Sequence, residues 1–525
     1  MTTARQRTAG VLLPLFSAPS RHSWGIGEFG DIPALTGWLR RAGFDMLQLL
    51  PLNELGRDER SPYSALTAMA LDPQYISLRH VPEFVALGGE SSLDDEARGA
   101  LDLARRAGRV DYRNVRAAKY SALRLAFDRF LEEEWSGGTA RAGDLCQYVH
   151  SESWWLEDYA LYRAIRATEQ ERSWREWPGR LRHADRAAVT AARRELGREV
   201  LFRQYLQWLA EEQWQAARRA AAPVAVFGDF PFLVTRDSAD VWARQDEFLL
   251  EASVGAPPDE FSDEGQDWGL PPCNWDVMAQ GGDDWLRKRI RRMGALFDGY
   301  RVDHLVGFYR TYVRPRGAPA YFLPADEPSQ LAHGERMMRL FLESGSRITV
   351  EDLGSVPPMV RASVARLELA GYCVLRWERD WNSPGLPFRD PARYPHASVA
   401  TTGTHDMETL AGWWPTLSPD EQVGLIALPV PGLERRWGLD VSAETLTAAV
   451  RDHLIELLYG AGSDLLVLPF QDVFGWRDRV NEPGTQSEAN WTYRLPWPVE
   501  DLESEPESRA CADRLRVFAE RHGRI

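Results

Sequence analysis

Gly299-Tyr300-Arg301-Val302-Asp303-His304 is the stretch that decides the architecture. It reads as a short strand that ends on a charged pair. Residues two apart on a strand share a face, so Arg301 and Asp303 point the same way, with Asp303 at the C-terminal end. Working outward, seven further short runs carry the same signal: Val11–Phe16, Met46–Leu52, Val224–Asp229, Ile348–Glu351, Tyr372–Trp377, Ser398–Thr402 and Asp464–Gln471. Helical patterns separate most of them, over Ile32–Ala42, Asp284–Phe297, Ser329–Glu343, Met359–Ala370 and Ala443–Tyr459. Eight strands with intervening helices predict a (β/α)8 TIM barrel.

The stretch Leu78–Ala222 interrupts the alternation with helix-rich, Arg- and Trp-rich sequence, as in Asn114–Trp135 and Ala188–Ala220. It reads as a large helical insertion between the second and third strands. The chain thus divides into a barrel start (1–77), an insertion (78–222), and the rest of the barrel with a C-terminal helix (223–525). No fixed-period repeat and no low-complexity tract occurs.

The 525 residues hold 62 Lys and Arg against 77 Asp and Glu, a net charge of −15. That balance argues against a nucleic-acid or anionic-membrane partner, which would be recruited by excess positive charge. The basic run Arg287 to Arg292 reads as a solvated helix face. Four scattered cysteines form no CxxC pair, which fits a reducing compartment without disulfides or structural zinc. The apolar stretch Val11–Phe16 is too short for a signal-peptide core, and no run reaches a membrane span, so the expected location is the cytoplasm. Tryptophan is abundant, at 21 residues. An aromatic core and a cleft lined with rings that stack on sugar or base faces both account for it. The Trp-rich insertion is open to the same two readings.

In such barrels, catalytic groups sit at the C-terminal strand ends. The fourth strand ends at Asp303-His304, the fifth at Glu351-Asp352, and the seventh leads into Gly403-Thr404-His405-Asp406. Each acid alone reads as a salt bridge or helix cap. Three carboxylates at one barrel mouth fit retaining glycoside chemistry: one attacks the anomeric carbon, a protonated one serves the leaving oxygen, and a third holds hydroxyls. Arg301 beside Asp303 favours its ionised form, which suits a nucleophile. A metal-dependent hydrolase built on Asp303-His304 and His405-Asp406 is disfavoured because no HxH pair occurs. Gly25-Ile26-Gly27-Glu28-Phe29-Gly30 matches GxGxxG, but Ser17 to Trp24 separate it from the strand that a dinucleotide fold requires directly before it.

These residues carry a resemblance. The sequence resembles the 4-α-glucanotransferases (amylomaltases, disproportionating enzymes) of glycoside hydrolase family 77, relatives of the α-amylases. The motifs run in order along nearly the whole chain: Ala9–Leu13, Gly25–Gly30, Gln48–Leu52, Ser61-Pro62-Tyr63-Ser64, Gly228–Pro231 and Asp237–Trp242. Next come Gly255–Asp259, Gly265–Gly269, the catalytic strand ends, Gln471-Asp472, Asn481–Thr485 and Asn490-Trp491. The resemblance implies Asp303 as nucleophile, Glu351 as general acid/base and Asp406 as transition-state stabiliser. Arg301 would orient Asp303, and His304 and His405 would contact the sugar. Tyr63 would stack on the glucose before the scissile bond, with Asp229 holding hydroxyls there and Trp268 as a further platform. It implies an α-1,4-glucan or maltooligosaccharide donor, a glucose or maltooligosaccharide acceptor, no cofactor and no metal, in a monomer or small homo-oligomer.

The chain departs from the family pattern at Leu270-Pro271-Pro272-Cys273, at Val306, and at Phe322–Pro328. These affect sugar contacts away from the cleavage point. An amylase-like hydrolase would use the same three acids, differing only in whether water or a sugar resolves the intermediate. A glucan-binding protein without catalysis is the alternative from another class, and a nicotinamide oxidoreductase is a distant third.

Overall fold

The computed structural model describes residues 7–258, 265–432 and 445–525. Eight parallel strands close into a barrel: Thr8–Leu12, Met46–Gln48, Ala225–Phe230, Gly299–Val302, Arg347–Val350, Ala370–Val374, Ser398–Thr401 and Leu465–Pro469. Each strand pairs with its neighbour in sequence, and Thr8–Leu12 closes on Leu465–Pro469. The strands are almost wholly buried because helices cover the outside and side chains fill the inside. Gly299 is required where it stands, since a Cβ there would lie 2.4 Å from the Phe227 ring and 2.6 Å from the Arg347 carbonyl.

The eight strands match the expectation in number and order, while their limits shift for physical reasons. The first strand is Thr8–Leu12 rather than Val11–Phe16, because Pro14 has no N–H for the ladder and Leu15–Ser17 turns as a 3-10 segment. The second ends at Gln48, ahead of Pro51. The sixth runs from Ala370 to Val374, so the preceding helix stops at Arg366 instead of reaching Ala370. The helix expected from Ala443 is described from Ala448, and Ala443, like Asp259, lies outside the described residues.

Eight helices, the longest of them Tyr112–Phe130, Ser153–Thr168 and Gly197–Ala221, fill the chain between the second and third strands. Asp111 starts the first of these by accepting from the Asn114 N–H at 3.2 Å. Tryptophans 155, 174, 177, 208 and 214 are all buried there. Trp214 also donates to the Leu296 carbonyl at 2.8 Å, fastening this layer to the barrel's outer helices.

Only part of the run Arg287 to Arg292 is a solvated face: Arg287 and Arg291 are exposed. Arg289 and Arg292 are buried, three apart on the inner side of helix Asp284–Leu296. Arg289 lies over the Phe230 and Trp285 rings, and Arg292 pairs with Glu211 at 2.7 Å. Charge counting missed this because a guanidinium can be buried once its N–H groups find acceptors and its flat face finds a ring.

A second sheet was not anticipated. Gln266–Asp267, Ala252–Ala256, Thr311–Pro315 and Tyr321–Leu323 form four short antiparallel strands in that order. The variant segment Phe322–Pro328 therefore begins as the edge strand of this sheet. At the opposite end of the barrel, Arg524 is fully buried and donates to the carbonyls of Tyr459 (2.9 Å), Ser463 (2.9 Å) and Thr8 (3.2 Å).

Candidate active site

The site is built on strand register. Asp229 and Arg301 are direct partners across the third and fourth strands, and Arg301 is in turn opposite Thr349 on the fifth. Directly opposed residues share a face, so Asp229 and Arg301 both enter the barrel and meet at 2.6 Å. Two residues further along, Asp303 and Glu351 form the next layer toward the mouth. Both are held past the formal strand ends, Asp303 N–H donating to the Phe230 carbonyl at 3.0 Å and Glu351 N–H to the Val302 carbonyl at 2.9 Å.

Arg301 joins these layers. Its Nη2 is 2.8 Å from Asp303 Oδ1 and 3.7 Å from Glu351 Oε2. Reaching both from one nitrogen caps the distance between those oxygens at about 6.5 Å, so they are no farther apart than the shortest inverting pairs, which span roughly 6.5–9.5 Å. The side chains grade outward, from Asp229 at 0% and Arg301 at 4% exposure to Glu351 at 17%, Asp303 at 21% and Asp406 at 41%. A buried ion pair thus forms the floor, and three carboxylates face the opening.

The three differ in proton affinity. Burial pushes the Glu351 carboxyl well above the usual range, and the neighbouring Asp303 and Asp406 add to this. Arg301 and the His304 N–H, donating at 2.7 Å, pull the other way without winning. Burial also acts to raise Asp406, but the His405 ring, the Asn481 amide and Arg301 together bring it down to about 2. A carboxyl shifted toward its neutral form and one held ionised therefore sit at one mouth.

His304 aims its N–H at Glu351 because its backbone is left-handed, with φ 47°. Its ring meets Trp268 edge-on at 4.8 Å and Phe232 at 5.5 Å, and this burial pushes its pKa down to about 4. Trp268 is held by the second sheet, where its N–H donates to the Val254 carbonyl at 2.9 Å. On the other side, Tyr63 stacks on His405 at 5.3 Å and 16°, with Trp491 tilted against both. The Tyr63 hydroxyl donates to Asp229 Oδ2 at 2.8 Å. Asp229 is wholly buried; its Oδ2 meets both Tyr63 and Arg301, while its Oδ1 finds no hydrogen-bond partner among the described residues.

All nine residues singled out in the sequence meet at this mouth or directly beneath it. Two more were missed. Asn481 donates from its side chain to Asp406 Oδ1 at 2.6 Å, and its N–H donates to the His405 carbonyl at 3.2 Å. Arg479 donates to the Asp406 carbonyl at 3.1 Å and to the Asn481 carbonyl at 3.2 Å. Asn481 stood in a quoted motif, but nothing local to it announces a partner 75 residues away.

Comparison with known proteins settles the family. The model of the 4-alpha-glucanotransferase family, glycoside hydrolase 77, matches residues 13–500. This chain belongs to glycoside hydrolase family 77. A 4-alpha-glucanotransferase of Thermus thermophilus is 33% identical over 99% of both chains. One from Chlamydia pneumoniae is 31% identical, covering 94% of this chain and 92% of its own. The amylomaltase of Streptococcus agalactiae, solved with acarbose, shares the fold of this family 77 chain with a TM-score of 0.79. It is 24% identical and covers 98% of this chain and 99% of its own.

Proposed function

We propose that this family 77 chain is a retaining 4-α-glucanotransferase in which Asp303 is the nucleophile, Glu351 the general acid/base and Asp406 the stabiliser of the reacting glucose. The observation that carries the assignment is the asymmetry around Arg301. Its Nη2 lies 2.8 Å from Asp303 and 3.7 Å from Glu351, and burial pushes Glu351, the more distant of these two mouth carboxyls, toward its neutral form, as an acid must be.

In the first step Asp303 attacks the anomeric carbon of an α-1,4 linkage. The glycosidic C–O bond breaks, and the Glu351 proton passes to the leaving oxygen. A glucosyl ester on Asp303 and a glucan with a free 4-hydroxyl result. In the second step the Glu351 carboxylate takes the proton of an acceptor's 4-hydroxyl, whose oxygen attacks the same carbon and releases Asp303. Asp406, held ionised, binds hydroxyls of the ring as it flattens. Positive charge developing on the ring is opposed to the negative face of the site.

In this reading Tyr63 and Trp268 are aromatic faces flanking the cleavage point, with His405 and His304 as their polar edges. Asp229 fixes Tyr63 and Arg301 from below. The donor is an α-1,4-glucan or maltooligosaccharide, the acceptor glucose or a maltooligosaccharide, and the chemistry needs no cofactor. The 78–222 segment is an insertion that braces the barrel, in keeping with its buried tryptophans. We take the cytoplasm as the location and a monomer or small homo-oligomer as the working unit; no helix among the described residues is long and apolar enough to cross a membrane.

Incubation with maltotriose alone tests the reading. Transfer yields a ladder of longer maltooligosaccharides with glucose or maltose while total reducing ends stay constant. Rising reducing ends with only shorter products would replace it with a hydrolase.

A further inference from the structure

Most tryptophans among the described residues are hidden from solvent. Among the described residues only Trp135 (38%), Trp377 (43%) and Trp381 (66%) are substantially exposed. The last two lie on one segment, directly after the sixth barrel strand, at the end of the barrel that holds the three carboxylates.

That segment is braced by its own hydrogen bonds. Arg379 and Phe388 bridge its two arms, and the Asp380 N–H donates to the Pro387 carbonyl at 2.9 Å. The Asp380 carboxylate accepts from the Asn382 N–H at 3.2 Å and the Ser383 hydroxyl at 2.6 Å, which shapes the tip on which Trp381 stands. The root is joined to the site, since Arg376 donates to the Glu408 carbonyl at 2.5 Å, two residues beyond Asp406. A hydrogen-bonded turn joined to the mouth thus presents a large flat ring that the protein's own side chains leave two-thirds bare. An apolar face kept exposed on a built support marks a contact surface.

We propose that Trp381, with Trp377 behind it, is a stacking platform for glucose units of an α-glucan chain lying beyond the cleavage point. The proposal rests on the glucan-transfer reading and deepens it, naming a rim site that only long chains reach. Trp381 touches no reacting atom, so it governs affinity for chain length and leaves the bond-breaking step alone.

The test is calorimetric titration of the Asp303→Asn protein, with and without Trp381→Ala, using maltoheptaose and maltotriose. Loss of one stacked ring weakens maltoheptaose binding about three- to tenfold. Maltotriose affinity stays the same, which also shows that the double variant is folded, and Trp381→Phe restores the long-chain affinity. An unchanged maltoheptaose affinity overturns the proposal, as does an equal loss for both sugars. The product ladder of the wild-type enzyme reports independently on transfer, so failure of that reading and failure of this one are distinguishable.

Discussion

Asn481 holds Asp406 by a 2.6 Å hydrogen bond from its side-chain amide, joining the loop after the eighth barrel strand to the loop after the seventh. Its own N–H fastens the His405 carbonyl as well, so one residue fixes the position of the carboxylate and, together with the His405 ring and Arg301, holds it ionised. Asn481→Ala should lower kcat for maltotriose disproportionation about ten- to a hundredfold, the worth of a hydrogen bond to a charged group. KM should move less, and Asp406 should titrate at a higher pH. Steady-state kinetics across pH check this, and an unaltered kcat would refute the role.

Replacing Asp303 with Asn or Glu351 with Gln should abolish transfer while leaving the fold intact. Circular dichroism and the maltotriose ladder are the paired measurements. An Asp303→Asn enzyme with normal rates would sink the nucleophile assignment.

Glu351 also predicts a pH dependence. Its carboxyl must be protonated for the first step, and its pKa is raised, so kcat/KM should fall on the alkaline side as this proton is lost. Stability follows the same sign. The folded chain binds this proton more tightly than the unfolded chain, so the contribution is complete below the unfolded pKa and is lost as pH rises through the folded one. Glu351→Gln cannot ionise, so its Tm should fall less than wild type between about pH 5 and pH 9. Parallel melting curves would contradict the burial argument.

Tyr63 offers a separation of ring from hydroxyl. Tyr63→Phe keeps the stack on His405 but removes a donor to the Asp229 carboxylate, and should cost about tenfold to a hundredfold in kcat/KM. Tyr63→Ala removes both and should cost more. Equal losses in the two variants would mean that the ring contributes nothing.

Arg524 concerns stability alone. Its guanidinium ties carbonyls of the first and eighth strands' surroundings at the barrel's closed end, far along the fold from the carboxylates. Arg524→Met removes the donor to the buried Thr8 and Ser463 carbonyls, while the Tyr459 carbonyl keeps Arg7, and should destabilise by about 3 kcal/mol. Thermal melting measures it; kcat at low temperature should be unchanged.

The barrel and its three carboxylates were legible in the chain because both signals are local. A strand shows itself in a few consecutive residues, and a barrel places whatever follows a strand's C-terminal end at the mouth. Thus Asp303, Glu351 and Asp406 could be named without knowing a single distance. The strand limits around Pro14 and Ala370 were less legible, since ladder pairing decides them and pairing involves a partner strand. The second sheet is the extreme case: Gln266–Asp267 is only two residues long and is a strand solely because Ala252–Ala256 lies beside it.

What the sequence determined by itself was the order of strands and helices and the residue types at each strand end. The tertiary structure alone decided which of those residues meet. Asp229 reaches Arg301 because two strands 72 residues apart pair in register, and Asn481 reaches Asp406 because two loops converge. The proton of Glu351 depends on the same thing. A carboxyl in water is ionised at neutral pH whatever its neighbours in sequence, and only burial next to other carboxylates, a property of the closed barrel, pushes this one toward its neutral form.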